Sequence, residues 1–254
     1  MTWLLLRDGP GKPAWNMALD EALLSAAESE GLCALRLYTW DPPALSFGRN
    51  EPALRRYDRG AILARGLATV RRPTGGRAVW HDRELTYSVS APAAALGSLR
   101  ESYRVIHDLL AAALRSLGAS VILAADRPAA GVGAGACFAS AAGGEVMTAA
   151  GGKVVGSAQV RAGSAFLQHG SILLSADQGV VAALTRGAAE HPHATGLVEL
   201  VPAERATADA VADAVALEAS RRWTMRQGEP TPDVRRRAEA LLDHYQDDAW
   251  TWRR

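Results

Sequence analysis

The chain has 254 residues, 48% of them apolar, and a formal net charge of +1. That length allows one large domain or two small ones with a sizeable core, and near-neutrality excludes a strong electrostatic pull toward nucleic acid or a membrane surface. No stretch approaches the roughly 18 apolar residues of a membrane span, and the opening run Trp3–Leu6 is a strand's length, closed by Arg7, Asp8 and Gly9.

Trp3–Leu6 reads as a strand, and Trp15–Ala27 repeats apolar residues at helical spacing up to Gly31. Ala34–Thr39, Leu45–Phe47 and Leu67–Arg71 read as strands, the first broken by Pro42–Pro43. Ala78–Trp80 and Leu85–Ser90 flank a polar turn and are expected to pair as a hairpin. Arg100–Leu117 is the clearest helix, stopped by Gly118, and Val121–Leu123 is a strand. Residues 128–152 are nearly all Ala, Gly and Ser and read as a loop. Lys153–Gln159 and Ala165–Leu174 follow as core strands. The last third reads as helices at Val180–Leu184, Ala206–Met225 and Val234–Tyr245. The expected fold is α+β: a mixed sheet flanked by helices, in one domain over 1–254, its core at roughly 30–215 with the helices of 206–250 packed on it.

Two cysteines, Cys33 and Cys137, make no disulfide framework, which implies a reducing, cytoplasmic setting. Cys33 sits in an apolar strand and reads as core, whereas Cys137 sits in the small-residue loop, either incidental or a nucleophile. Of the 28 basic residues only Lys12 and Lys153 are lysines. Lys12 lies in a polar turn. Lys153 opens a strand of small residues (Gly156, Ser157) with room for a ligand chain, and an ammonium can do chemistry that a guanidinium cannot.

Arg71-Arg72-Pro73-Thr74-Gly75-Gly76-Arg77 places cations and two glycines between strands. It is either a close-approach loop for a phosphate or polarised carbonyl, or a plain turn with solvated arginines. His81 and His169 are each substrate-orienting or structural, and His107 and His244 read as surface positions on helices. His191-Pro192-His193 lacks carboxylate or cysteine partners, so no metal is expected.

Together, Arg71–Ser88, Gly152–Gln159, Gln168–Leu174, Asn16–Leu24 and Asp248–Trp250 resemble the biotin/lipoate protein ligase superfamily over nearly the whole chain. Within it, Ala136-Cys137-Phe138 ahead of Gly152-Lys153 resembles the LipM-type octanoyltransferases and the LipL-type amidotransferases. This chain departs from them in carrying only small residues, Ala139–Gly144, before Glu145. The resemblance implies a cofactor-free, ATP-independent acyltransferase with Cys137 as nucleophile and Lys153 as its electrostatic partner. It implies a substrate site built from Arg71, Thr74, Gly75, Gly76, Arg77, His81, Gly156, Ser157, Ala158, Gln159, His169 and Gly170. The implied donor is octanoyl-acyl carrier protein, and the implied acceptor is a lysine of glycine-cleavage H protein or an E2 lipoyl domain. An ATP-dependent lipoate-protein ligase, or an amidotransferase moving octanoate from H protein to E2 lipoyl domains, is the alternative.

Overall fold

The computed structural model describes residues 1–125, 144–187 and 193–253. The strands are β1 (Thr2–Gly11), β2 (Cys33–Trp40), β3 (Ala44–Phe47), β4 (Ala68–Arg71), β5 (Val79–His81), β6 (Glu84–Pro92), β7 (Val121–Leu123), β8 (Val146–Thr148), β9 (Val155–Ala162), β10 (Ala165–Leu173) and β11 (Thr224–Gln227). Six form the main sheet in the order β11-β1-β2-β6-β10-β9, and β4-β3-β5 form a smaller one. The main sheet is mixed: β1 runs parallel to β11 and β2, and the remaining pairs are antiparallel. The α+β expectation holds.

The long helices are α1 (Pro13–Glu30), α2 (Leu99–Ser116), α3 (Ala208–Arg222) and α4 (Pro232–Ala240). Proline at the start of α1 and left-handed Gly31 at its end follow the usual asymmetry of helix termini. Ser98 and Glu101 close a reciprocal capping box at the start of α2. Strand alternation then divides the core. Trp3, Leu5, Leu35, Leu37, Tyr87 and Val89 face α2 and α3, whereas Leu4, Leu6, Ala34 and Tyr38 face α1 and α4.

Several expectations need correction. Ala78–Trp80 and Leu85–Ser90 do not pair as a hairpin: β5 joins β3 in the small sheet, and β6 lies between β2 and β10 in the main one. Each strand satisfies its backbone hydrogen bonds in a different sheet, and the chain crosses from one to the other at Asp82 and Arg83. The helix expected at Ala206–Met225 begins only after the Thr207 cap and ends at Arg222, where Trp223 stacks on Trp3 with centroids 4.1 Å apart. That stack brings β11 alongside β1. The helix expected over Val234–Tyr245 breaks at Leu241 into two. The loop expected over 128–152 contains β8, which pairs with β7. Strand pairing in β9 begins at Val155, after Lys153.

Arg71, at the end of β4, is fully buried. Its guanidinium donates to the carbonyls of Gly48, Arg49 and Glu51 on one side and of Trp250, Thr251 and Arg253 on the other. Burial and the neighbouring Arg253 and Arg72 lower its pKa to about 10, so it remains a cation at neutral pH. The solvated-arginine reading of this position is therefore excluded, and its donors are spent on backbone. Charge-assisted bonds of this kind are worth about 1.5–3 kcal/mol each. Arg71→Met should therefore lower unfolding stability by about 3 kcal/mol or more, read as a fall in the urea midpoint with an unchanged slope.

Candidate active site

A pocket opens between the two sheets. From the main sheet it is walled by Gly156, Ser157 and Ala158 of β9 and by His169 and Gly170 of β10; His81 of the small sheet closes it from the other side. All six were expected at a substrate site, and the fold brings them together from segments far apart in sequence. Arg72 of the arginine-glycine segment also lines it, and Tyr38, Trp40, Ser46, Val79, Thr86 and Ser171, which sequence reasoning missed, complete the wall.

The pocket's polar groups are largely paired inside the protein. Arg72 donates to Ser46 Oγ at 3.1 Å, and Ser46 Oγ lies 2.8 Å from His81 Nε2. His81 Nδ1 faces Glu84 at 3.4 Å and Ser171 Oγ at 3.2 Å. Trp40 Nε1 donates to Thr86 Oγ at 2.8 Å, and Thr86 donates to Glu84. The Trp40 and His81 rings stack 4.1 Å apart. Burial lowers the His81 pKa, only partly offset by Glu84, which favours the neutral ring. Ring faces and aliphatic surface are what remain to meet a guest.

His169 is held from behind by α1. Its Nδ1 lies 2.9 Å from Asp20 Oδ2; a carboxylate only accepts, so this nitrogen carries the proton. In the neutral ring Nε2 then accepts the Thr74 hydroxyl at 2.6 Å. Asp20 also receives Tyr38 Oη and Arg36 Nη1, each at 2.9 Å. Burial alone would raise the Asp20 pKa, but bonds from His169 and Arg36 outweigh it and hold the carboxyl below its ordinary value. Thr74 thus ties the glycine turn to the main sheet. A Cβ on Gly48 would meet the Gly76 carbonyl oxygen at 1.9 Å, so Gly48 lets this turn sit directly on β3's end. The carbonyls of Gly75 and Arg77 accept from Arg72. Arg71 and Gln159 send their side chains elsewhere, Gln159 to Ser102 and Gln168.

Lys153 sits in a backbone vice, its N–H on the His193 carbonyl at 2.6 Å and its carbonyl accepting from Thr195 at 3.0 Å. A side chain at Gly152 would collide with Thr195 Oγ at 1.9 Å. The Lys153 ammonium is buried and donates to Glu145 at 2.7 Å. Cys137 and His191 lie outside the described residues. Among those described, no three His, Cys, Asp or Glu side chains gather as metal ligands, and no helix is long and apolar enough to cross a membrane.

Residues 12–218 match the lipoyl protein ligase A/B catalytic domain. The chain belongs to this family. A curated relative from Kyrpidia tusciae, the octanoyltransferase LipM, is 42% identical over all of this chain and 99% of its own. The octanoyltransferase LipM of Moorella thermoacetica is 45% identical over 68% of this chain and 66% of its own. Among solved structures, a lipoate-protein ligase A bound with ATP superposes with a TM-score of 0.83 at 21% identity, covering 99% of both chains. A bi-partite lipoate protein ligase from Thermoplasma acidophilum gives 0.79 at 22% identity, covering 99% of this chain and 95% of its own. At those identities the two structures establish the family's fold here.

His107 corrects the expectation of a surface histidine, since it is wholly buried on α2. Burial lowers its pKa to about 4 despite a bond to the Gly144 carbonyl. The unfolded imidazole takes up its proton below about pH 6.5, so between 6.5 and 4 the unfolded state binds more protons and stability falls with falling pH. Unfolding free energy should drop by about 2 kcal/mol from pH 7 to pH 5 on this account. Urea titrations at the two pH values check it, and His107→Gln should lose this share of the pH dependence.

Proposed function

We propose that this chain is an ATP-independent octanoyltransferase of lipoate biosynthesis. It would take octanoate from octanoyl-acyl carrier protein and pass it, through a thioester on Cys137, to the acceptor lysine of an E2 lipoyl domain or glycine-cleavage H protein. The observation that carries the reading is the pocket, whose polar groups are largely satisfied internally so that its walls suit an alkyl chain. The octanoyltransferase relatives specify which chain.

In this scheme the Cys137 thiolate adds to the donor carbonyl, and the tetrahedral intermediate collapses by expelling the carrier's thiolate, leaving the acyl group on Cys137. The acceptor's neutral amine then adds, the intermediate expels the Cys137 thiolate, and the amine's proton passes to that thiolate or to solvent as the amide forms. The buried Lys153 ammonium is suited to stabilise a nearby thiolate and the oxyanion of each tetrahedral intermediate. Its pairing with Glu145 keeps a charge in a dry site that would otherwise be costly.

Wild-type protein incubated with octanoyl-acyl carrier protein and no ATP should gain one octanoyl mass that hydroxylamine removes, and Cys137→Ser should gain none. Acceptor modification that requires ATP and free acid would instead indicate the ligase, and an adduct formed only from octanoyl-H protein would indicate the amidotransferase. Lys153→Met should cut transfer by about 100-fold or more, the scale of losing one oxyanion donor.

A further inference from the structure

We infer that His107 is a positioning residue of the acyl site, a neutral clamp that fixes the Gly144–Glu145 turn, and with it the counter-ion of Lys153, to the pocket strand β9. The inference rests on the thioester reading above.

The argument starts from hydrogen-bond direction. The Gly144 carbonyl can only accept, so His107 Nδ1, 2.7 Å away, must carry a proton. In a neutral ring Nε2 is then bare and accepts the Ser157 hydroxyl at 2.8 Å. With its own proton committed, Ser157 Oγ accepts from Tyr87 Oη at 2.6 Å. Tyr87 in turn accepts from Gln168 Nε2 at 2.8 Å, and Gln168 Oε1 accepts from Gln159 Nε2 at 2.7 Å. Five hydrogen bonds therefore run one way, from Gln159 to Gly144, and each bond in such a chain polarises the next. Two side chains expected to contact substrate, Ser157 and Gln159, are members of this chain, and Ser157 also lines the pocket.

The far end of the chain meets the chemistry. Glu145, next to Gly144, accepts the Lys153 ammonium at 2.7 Å and Tyr103 Oη at 3.4 Å. Tyr103 and His107 are one turn apart on α2, with rings 4.0 Å apart, so one helix face supports both residues of the turn. Gly144 has φ +86°, a backbone conformation that glycine adopts readily and that lets the turn place its carbonyl on His107. A second proton on His107 would remove the acceptor for Ser157 and add a cation facing Lys153. Among the described residues, the charged or titratable groups against this ring are Lys153 from the site and Tyr87 and Tyr103 from the packed elements.

Two variants of the full-length protein test the role. His107→Phe removes both bonds, and His107→Asn keeps a donor for Gly144. In octanoyl transfer, His107→Phe should lose roughly 10- to 100-fold in kcat with KM for the donor little changed, the scale of slightly misplaced catalytic groups. His107→Asn should recover most of that loss. A folded His107→Phe with wild-type kcat overturns the inference, as does an equal loss in His107→Asn. Imidazole ¹⁵N shifts of the wild type give an answer even if His107→Phe fails to fold. A proton on Nδ1 and a bare Nε2 are expected at pH 7; a proton on Nε2 reverses the chain and overturns it. Absence of any octanoyl adduct on wild type would overturn the thioester reading alone, leaving the nitrogen shifts to judge the clamp.

Discussion

The carboxylate of Asp20 is the interaction on which the site most depends. It is fully buried on α1, yet it joins three side chains from two strands: Arg36 and Tyr38 of β2 and His169 of β10. An isolated carboxylate in such a place would cost many kcal/mol, so it exists as an ion only because Arg36 and two further donors surround it. Arg36 is equally committed, reaching Asp8 and Asn16 besides. The mutual satisfaction of these groups fixes how α1 lies on the sheet, and through His169 and Thr74 it also fixes the glycine turn that borders the pocket.

A second physical theme is that polar atoms near the pocket turn inward to one another. Arg72, Ser46 and His81 form one path, and Trp40, Thr86 and Glu84 form another. Fixed networks of this kind leave few donors free to hold water in the cavity. An alkyl guest then displaces little ordered solvent, and the ring faces of Trp40 and His81 provide dispersion contact.

Much of this was legible in the sequence, because strand and helix periodicity report burial directly. Trp3–Leu6, Ala34–Thr39 and Arg100–Leu117 lie within β1, β2 and α2 with small shifts at the ends. The Lys153 neighbourhood stood out because lysine is otherwise nearly absent. What escaped notice depends on tertiary contact. Nothing local distinguishes Asp20 from a solvated helix acid, except that its neighbours Leu19, Ala22 and Leu23 are apolar. His107 looked like a surface residue because α2 carries polar residues around it, although Tyr103, Ile106 and Leu110 mark the buried face on which it falls. Adjacency in sequence suggests that β5 and β6 pair, whereas the chain steps between sheets at Asp82 and Arg83.

The Arg71 guanidinium carries a consequence for biosynthesis. Its carbonyl partner at Trp250 lies 179 residues further along the chain. A ribosome adding about 5–20 residues per second delivers that partner many seconds after Arg71 has emerged. Until then Nε and Nη2 of this cation have only solvent to bond, three of its six carbonyl partners being unmade, and the adjoining glycine turn lacks one of its anchors. The central sheet behaves the same way at its margin, since β1 gains its second neighbour only when β11 appears. Every strand that walls the pocket is therefore made well before the Arg71 anchor beside the glycine turn gains its partners at Trp250, Thr251 and Arg253.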